Sequence, residues 1–133
     1  MAGARIAVID DDGSHIELLQ DVLADEEYEI VASTDLHDAH VFLKDQRPAL
    51  VILDLLQAHR LVGLDALRQL KADPETRDLP VIVMSADTAT LRANAHELRM
   101  FGVITVEKPY LVEEPLSLIR QVVHGAQDRA SRG

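Results

Sequence analysis

Acidic side chains cluster near the start of the sequence, directly after an apolar run. Asp10, Asp11 and Asp12 follow the segment "RIAVI", and a further aspartate, Asp54, ends the apolar run "ALVIL". Adjacent carboxylates repel one another, so their clustering is unfavourable unless a cation or the N-terminus of a helix compensates the negative charge. These positions therefore predict a site that favours cations.

A hydroxyl and an ammonium group follow two other apolar runs. Ser85 ends the run "PVIVM", and Lys108 stands shortly after "GVITV". In an open parallel sheet, ligands bind beyond the carboxyl ends of the strands, where residues from several strands meet. If the four runs are strands of one such sheet, the acids, the hydroxyl and the ammonium converge on one rim.

Each of these residues also has a structural explanation when it is taken singly. Ser14 and Glu17 have the spacing of a capping box, and Asp12 suits the N-cap of the same helix. The other polar residues are of types that are common in loops. Capping does not account for three adjacent aspartates, however, and the joint occurrence of these groups at four strand ends favours a chemical site.

Apolar runs rich in valine and isoleucine alternate with longer segments of helical period. The predicted strands are residues 5–10, 29–33, 49–54, 80–85 and 102–106. The predicted helices are residues 14–27, 35–46, 64–73, 88–100 and 115–123. This alternation is typical of βαβ units, so it predicts an α/β fold with a doubly wound parallel sheet. The second run is shorter and more polar, which suits an edge strand.

Length and composition limit the function classes that are open to the chain. Its 133 residues suit one domain, and its formal charge of −10 would be repelled by a phosphate backbone, which argues against direct nucleic-acid binding. The apolar runs are far shorter than the roughly 20 residues that cross a bilayer, and the first residues lack the pattern of a secretory signal. With no cysteine, the chain offers no disulfide or thiolate chemistry, and a cytoplasmic setting is expected.

The six histidines are scattered along the chain, and only His37 and His40 share a helical spacing. A metal site of the zinc type needs a third ligand, and none stands near this pair. We therefore interpret the two histidines as part of a solvated helix face.

The sequence resembles the receiver domain of two-component response regulators from about Arg5 to Val123. The matching motifs are "VIDD" at 8–11, "VILDL" at 51–55, "VMSA" at 83–86 and "EKP" at 107–109. The resemblance implies a flavodoxin-like receiver fold, with five helices around a five-stranded parallel sheet of order 2-1-3-4-5. The receiver would occupy residues 1–124, and residues 125–133 would form a polar tail or the start of a linker.

The resemblance also implies roles for the polar residues at the strand ends. The residue matching Asp54 is phosphorylated in that family, and Ser85 and Lys108 match the groups that contact the phosphoryl group. The implied Mg²⁺ ligands are Asp10, Asp11, Asp54 and the backbone carbonyl of Leu56. Mg²⁺ prefers oxygen ligands at near-octahedral geometry and keeps several waters, so these few protein oxygens suffice.

A switch, not an enzyme in the ordinary sense, is the implied function. The domain would accept a phosphoryl group from a histidine kinase or a histidine phosphotransfer protein, with intrinsic autophosphorylation and autodephosphorylation activity. Phosphorylation would then change the binding of an output protein to the face formed by the fourth helix, fifth strand and fifth helix, at about residues 88–123. Neither nucleic acid nor a membrane is an expected direct partner, and homodimer formation is left open.

The chain departs from the family pattern in three places. Thr105 stands where many receivers have an aromatic residue, Gln57 and Ala58 replace a common Met-Pro pair, and Gly63 falls one position late. These departures favour an alternative in which the domain is a degenerate receiver that serves only as a docking module.

A second alternative comes from the opening motif. The segment "AVIDDDGS" also resembles the first motif of haloacid-dehalogenase-type phosphohydrolases, with Asp10 as nucleophile and Asp12 as acid/base. That family requires a further acidic motif at a strand end beyond the lysine, and this chain has only "EE" entering its last predicted helix. The alternative also leaves Asp54 unexplained.

Overall fold

Five parallel strands form the sheet of this protein. The computed structural model describes the backbone of residues 3–132 and the side chains of residues 3–125. The strands are β1 (Arg5–Ile9), β2 (Glu29–Ser33), β3 (Leu50–Asp54), β4 (Val81–Ser85) and β5 (Ile104–Glu107). All four pairings are parallel, and the order is β2-β1-β3-β4-β5. The predicted fold and strand order are confirmed, with β2 at an edge.

Helices cover both faces of the sheet. They are α1 (Gly13–Ala24), α2 (Ala39–Gln46), α3 (Val62–Ala72), α4 (Thr88–Ala93), α5 (Ala95–Met100) and α6 (Glu113–Arg132). Alternate residues of the central strands enter two separate cores, one with α2 to α5 and the other with α1 and α6. Because every residue of β3 and β4 is buried, these strands consist of almost continuous apolar runs.

The segment 88–100, predicted as one helix, is divided into α4 and α5 at Asn94. The side-chain amide of Asn94 donates to the carbonyl oxygen of Thr90 at 2.9 Å, and its backbone has φ −109° and ψ 11°, outside the helical range. Asparagine side chains compete with the backbone for such carbonyls, which interrupts a helix without changing its apolar period. The described residues thus form six helices where five were predicted.

The last helix is longer than the apolar pattern indicates. It begins at Glu113 and continues to Arg132, so residues 125–132, expected as a polar tail or linker, are helical. The division of the chain at residue 124 stays a prediction. The second helix is shorter than predicted and begins only at Ala39.

A tight two-residue hairpin turn lies between β3 and α3. The backbone groups of Gln57 and Arg60 exchange hydrogen bonds of 2.9 and 3.0 Å. The two residues between them, Ala58 and His59, have φ values of +51° and +65°. Positive φ at both central positions is the geometry of a type I′ turn, which favours Asn-Gly over other side chains. The turn absorbs the additional residue that the sequence indicated before Gly63.

This turn gives a first prediction. Replacing Ala58 by asparagine and His59 by glycine is expected to raise the free energy of unfolding by about 1 kcal/mol, because the left-handed conformation is unfavourable for the native residues. Both side chains are exposed, so the change removes no buried contact. Urea unfolding of the double variant beside the wild type measures the effect, and a lower free energy of unfolding would contradict the turn geometry.

Candidate functional site

The carboxyl ends of the central strands bring an ammonium group between two carboxylates. Asp10 follows β1, Asp54 ends β3, and Lys108 follows β5. The Lys108 Nζ atom lies 2.9 Å from Asp10 Oδ2 and 3.2 Å from Asp54 Oδ2. Both aspartates are buried, and the lysine side chain is 18% exposed. The predicted convergence of the strand ends is therefore present.

Backbone donors fix the other oxygen of each carboxylate. The amide of Asp12 donates to Asp10 Oδ1 at 2.9 Å, and the amide of Leu56 donates to Asp54 Oδ1 at 3.1 Å. These bonds come from the turns that immediately follow β1 and β3. The orientation of each carboxylate is thus set locally, as soon as the strand ends.

The third aspartate of the opening cluster caps a helix. Asp12 is the N-cap of α1, and its Oδ1 accepts from the amide of Ser14 at 3.0 Å. Asp12, and not Ser14, therefore begins the helix, so the cap interpretation of Asp12 holds and the capping box at Ser14 and Glu17 does not supply the N-cap. The phosphohydrolase alternative requires Asp12 as its acid/base, but here the Asp12 carboxylate is occupied by this hydrogen bond.

The pKa values of the two buried carboxylates are shifted in opposite directions. The pKa of Asp54 is raised from 3.8 to about 6, first because burial disfavours the ionised form; the neighbouring Asp10 also raises it, while the Leu56 amide and Lys108 oppose the shift. The pKa of Asp10 is lowered: burial raises it, but hydrogen bonds from His15, the Asp12 amide and Lys108 outweigh that effect. Asp10 is therefore the carboxylate that stays ionised most easily.

These shifts predict a pH dependence of stability. Because the folded protein holds the Asp54 proton more tightly than the unfolded chain does, its contribution is fully present below pH 3.8 and is lost as the pH rises through about 6. Carboxylates with a lowered pKa, such as Asp10, act in the opposite direction, so the Asp54 contribution is measured as a difference between the wild type and Asp54→Asn. Urea unfolding of the two metal-free proteins in the presence of a chelator, at several pH values between 3.8 and about 6, should show the wild type losing stability relative to the variant as the pH rises. A difference between the two proteins that stays constant across the window would contradict the prediction.

Three carboxylates can contribute to one cation site. Asp10, Asp11 and Asp54 each offer an oxygen, and these atoms lie within 4.8 Å of one another. Asp11 is exposed and, with Leu56, lines a cavity of about 660 Å³ above the sheet. Because Lys108 supplies one positive charge to three carboxylates, the cluster keeps an excess of negative charge. Several carboxylate oxygens beside an open cavity suit Mg²⁺, which retains part of its hydration shell.

Ser85 and Lys108 line the same cavity. The Ser85 side chain is buried, and its Oγ accepts from the backbone amide of Asp87 at 3.1 Å. Its carbonyl oxygen accepts from the amide of Lys108 at 2.9 Å, which joins the ends of β4 and β5. The cavity is therefore lined by a hydroxyl and an ammonium group together with the carboxylates of Asp11 and Asp54.

Sequence reasoning missed two residues that contact this site. The sequence assigns no role to His15, which is one of the scattered histidines, or to Tyr110, which is not in register to replace the missing aromatic residue at Thr105. In the structure, His15 Nδ1 lies 2.6 Å from Asp10 Oδ2, and His15 Nε2 lies 2.5 Å from the Tyr110 hydroxyl. The position of His15 in the first turn of α1, just after the aspartates, was the available signal.

His37 and His40, interpreted as part of one solvated helix face, are placed differently by the structure. His40 is half-buried, and its Nε2 lies 2.8 Å from Asp73 Oδ2, so it is paired and not simply solvated. His37 is exposed, as expected, but it lies in the turn before α2 and not on the helix.

Among the helices of the described residues, none has the length and apolar character needed to cross a bilayer.

Comparisons with known proteins agree with this architecture. The family model for the response regulator receiver domain matches residues 6–120. The response regulator PleD of Caulobacter vibrioides is 34% identical over 83 residues, which cover 62% of this chain and 18% of PleD. The chain thus corresponds to less than a fifth of the length of that relative.

Solved structures share the fold along nearly the whole chain. The crystal structure of NtrX from Brucella abortus superposes with a TM-score of 0.80 at 27% identity, over 97% of this chain and 28% of NtrX. The chemotaxis protein CheY4 of Vibrio cholerae, at 20% identity, has a TM-score of 0.78 over 91% of this chain and 99% of its own, which shows a common fold. Because the family model spans most of the sequence and the sheet has the order expected for that family, the chain belongs to the response regulator receiver domain family.

Proposed function

We propose that this domain is a phosphorylation switch in which Asp54 accepts a phosphoryl group in the presence of Mg²⁺. The observation that carries the proposal is the position of Lys108 Nζ, 2.9 Å from Asp10 and 3.2 Å from Asp54. A nucleophilic carboxylate, a cation-binding cluster and an ammonium group thereby meet beside one open cavity. A surface that served only for docking requires none of these groups at this spacing.

The chemistry follows from the charges at the site. In the transfer, an oxygen of Asp54 forms the bond to phosphorus while the nitrogen–phosphorus bond of the donor breaks, and the bonding pair stays on the donor imidazole. Bound Mg²⁺ supplies positive charge that stabilises the phosphoryl oxygens as the anionic reactants approach. Asp10, Asp11, Asp54 and the Leu56 carbonyl are the groups that would hold it.

Lys108 and Ser85 recognise the product in this proposal. The ammonium of Lys108 already contacts Asp54, so a phosphoryl group on that residue brings new acceptor oxygens to it. The hydroxyl of Ser85, a residue that lines the same cavity, can donate to another of these oxygens. Both residues lie at the start of connections that lead to α4 and α6, so their movement would alter the surface beyond the site.

The partners of the switch follow from this location. The phosphoryl donor is a histidine kinase or a histidine phosphotransfer protein, and the setting is the cytoplasm. The output protein binds the face formed by α4, α5, β5 and α6, where Arg92 and Arg99 are exposed.

Incubation with acetyl phosphate, with and without Mg²⁺, tests the proposal. Intact mass spectra of the wild type should contain one labile phosphoryl adduct that requires Mg²⁺ and that is absent from Asp54→Asn. Protein that stays unlabelled under conditions that label another receiver would refute the proposal and favour the docking module. Steady phosphate release that survives Asp54→Asn but not Asp10→Asn would instead support the phosphohydrolase.

A further inference from the structure

His15 stands between the acidic cluster and an aromatic residue from the other end of the chain. Its Nδ1 lies 2.6 Å from Asp10 Oδ2, and its Nε2 lies 2.5 Å from the hydroxyl of Tyr110. The His15 side chain is only 9% exposed, and the two rings meet edge to face with centroids 5.7 Å apart. The imidazole is therefore held at both nitrogens and along its edge.

The identity of the acceptor fixes the direction of these hydrogen bonds. An ionised carboxylate can only accept hydrogen bonds, so Nδ1 of His15 carries a proton and donates a hydrogen bond to Asp10. In the neutral ring Nε2 then accepts from the Tyr110 hydroxyl. Burial, together with the charge of Asp10, raises the pKa of Tyr110 to about 12. The phenol therefore stays protonated and can donate this hydrogen bond.

We propose that His15 is a positioning residue for the metal ligand Asp10 and that Tyr110 holds it in place. The inference rests on the proposed function, because it concerns the cation site of the switch. The Asp12 amide binds Oδ1 of Asp10 and His15 binds Oδ2, so two groups at the start of α1 fix the rotation of the carboxylate. Partners of this kind, behind a metal ligand, commonly change metal affinity or activity by 10–100-fold when they are removed.

The role of Lys108 makes this second donor necessary. Lys108 also donates to Asp10 Oδ2, at 2.9 Å, but in the proposed switch it is drawn toward the phosphoryl group on Asp54. His15 then becomes the side-chain donor that continues to orient Asp10. Tyr110 lies two residues beyond Lys108, so the same hydrogen bonds also join the cation site to the connection between β5 and α6.

Three substitutions test whether His15 orients Asp10 or only contributes to packing. His15→Leu keeps bulk but removes both hydrogen bonds. In His15→Asn the amide nitrogen stands two bonds from Cβ, as Nδ1 does in histidine, so the donor to Asp10 is retained while the contact with Tyr110 is lost. Tyr110→Phe removes only the hydroxyl. His40→Leu is the matched control, because His40 also pairs with an aspartate, Asp73, at 2.8 Å but outside the site.

Mg²⁺ affinity is the measurement, obtained from the amide NMR shifts of Asp11 and Asp12 during titration with MgCl₂ alone. We expect the dissociation constant to rise about tenfold in His15→Leu. It should rise about threefold in Tyr110→Phe and by a similar factor in His15→Asn, which lacks the same contact with Tyr110. In the His15→Asn background, Tyr110→Phe should have no further effect. The control His40→Leu should bind Mg²⁺ as the wild type does.

Labelling by acetyl phosphate is followed in the same proteins, which separates this inference from the proposed function. Equal Mg²⁺ affinity of the wild type, Tyr110→Phe and a folded His15→Leu would overturn the inference and leave the switch intact. If His15→Leu does not fold, a threefold loss in Tyr110→Phe that disappears in the His15→Asn background still supports it. Mg²⁺ binding in the expected order without any adduct would support the positioning role and refute the switch, whereas wild-type protein that binds no Mg²⁺ would overturn both.

Discussion

Replacing Asp54 with asparagine is expected to abolish Mg²⁺-dependent labelling by acetyl phosphate and, at the same time, to stabilise the metal-free protein. The loss of labelling follows from the proposed chemistry, because an amide oxygen is a far weaker nucleophile than a carboxylate and forms no stable acyl phosphate. The expected gain in stability has a separate cause, which lies in the burial of the carboxylate. One effect removes labelling and the other raises stability, so a general disruption of the fold cannot produce both.

The gain in stability reflects the raised pKa of Asp54. Because burial and the nearby Asp10 raise this pKa from 3.8 to about 6, the ionised carboxylate is unfavourable in the folded protein near neutral pH. Asparagine has almost the same shape and keeps the acceptor for the Leu56 amide, but it carries no charge. We expect the free energy of unfolding at neutral pH to rise by on the order of 2 kcal/mol, a figure that already includes the opposing contact with Lys108 because that contact is part of the net shift. The gain over the wild type should shrink as the pH falls from about 6 to 3.8.

Asp73→Asn is the matched control for this experiment. Asp73 lies outside the site, where Lys44 Nζ contacts its Oδ2 at 3.0 Å and His40 Nε2 at 2.8 Å. Its pKa is lowered to about 2, first by a hydrogen bond from the Glu75 amide and then by Lys44 and His40, so its ionised form stabilises the fold. The same substitution there should lower stability and leave labelling unchanged. A destabilised Asp54→Asn, or one that still accepts the phosphoryl group, would contradict the assignment.

The part of the fold that could be predicted is the part that burial dictates. The central strands β3 and β4 are covered by helices on both faces, so their sequences are almost continuously apolar and their boundaries are clear. Once these strands are known to be parallel, their carboxyl ends must lie on one rim. That single consequence places Asp10, Asp54 and Lys108 together without any knowledge of side-chain contacts.

Local competition and long-range contacts explain what could not be predicted. The apolar period of residues 88–100 continues across Asn94, whose side-chain bond to Thr90 divides the helix without leaving any trace in that period. The contact between His15 and Tyr110 joins residues 95 positions apart, so no local pattern in the sequence indicates that these two side chains meet. The turn at Ala58 and His59 contains no glycine or asparagine, so the usual signal for a type I′ turn is missing.

The last of these features explains why Gly63 can stand one position late. The hairpin between Gln57 and Arg60 removes the additional residue from the path of the chain, so that α3 still begins against the end of β3. The Gly63 amide donates to the carbonyl oxygen of Leu55 at 3.1 Å. A Cβ atom on Gly63 would lie 2.0 Å from the backbone oxygen of Asp54 and 2.8 Å from Leu55 Cα. Glycine is therefore required by the close approach of a helix to the strand that ends at Asp54.

Gly63→Ala is accordingly expected to destabilise the protein by about 3 kcal/mol, at the upper end of the range for overpacking. The obstructing atoms belong to the backbone of β3 and its continuation, so no side-chain rotation can relieve the clash, and α3 must move away from the sheet. Gly13→Ala is the matched control: nothing lies within 4 Å of its added Cβ, and alanine favours a helix, so that variant should be as stable as the wild type or up to about 1 kcal/mol more stable. Urea unfolding followed by circular dichroism compares the two variants.

The two glycine variants should also differ in their labelling by acetyl phosphate, because the clash in Gly63→Ala lies at Asp54. Because the contact falls on the Asp54 carbonyl itself, the displacement in Gly63→Ala reaches the groups that orient the Asp54 side chain, including the Leu56 amide that donates to Asp54 Oδ1. Labelling by acetyl phosphate should therefore slow in Gly63→Ala even under conditions where the variant is fully folded, while Gly13→Ala is labelled at the wild-type rate. A folded Gly63→Ala that is labelled normally would mean that α3 can shift without moving the end of β3, and the close approach would then serve stability alone.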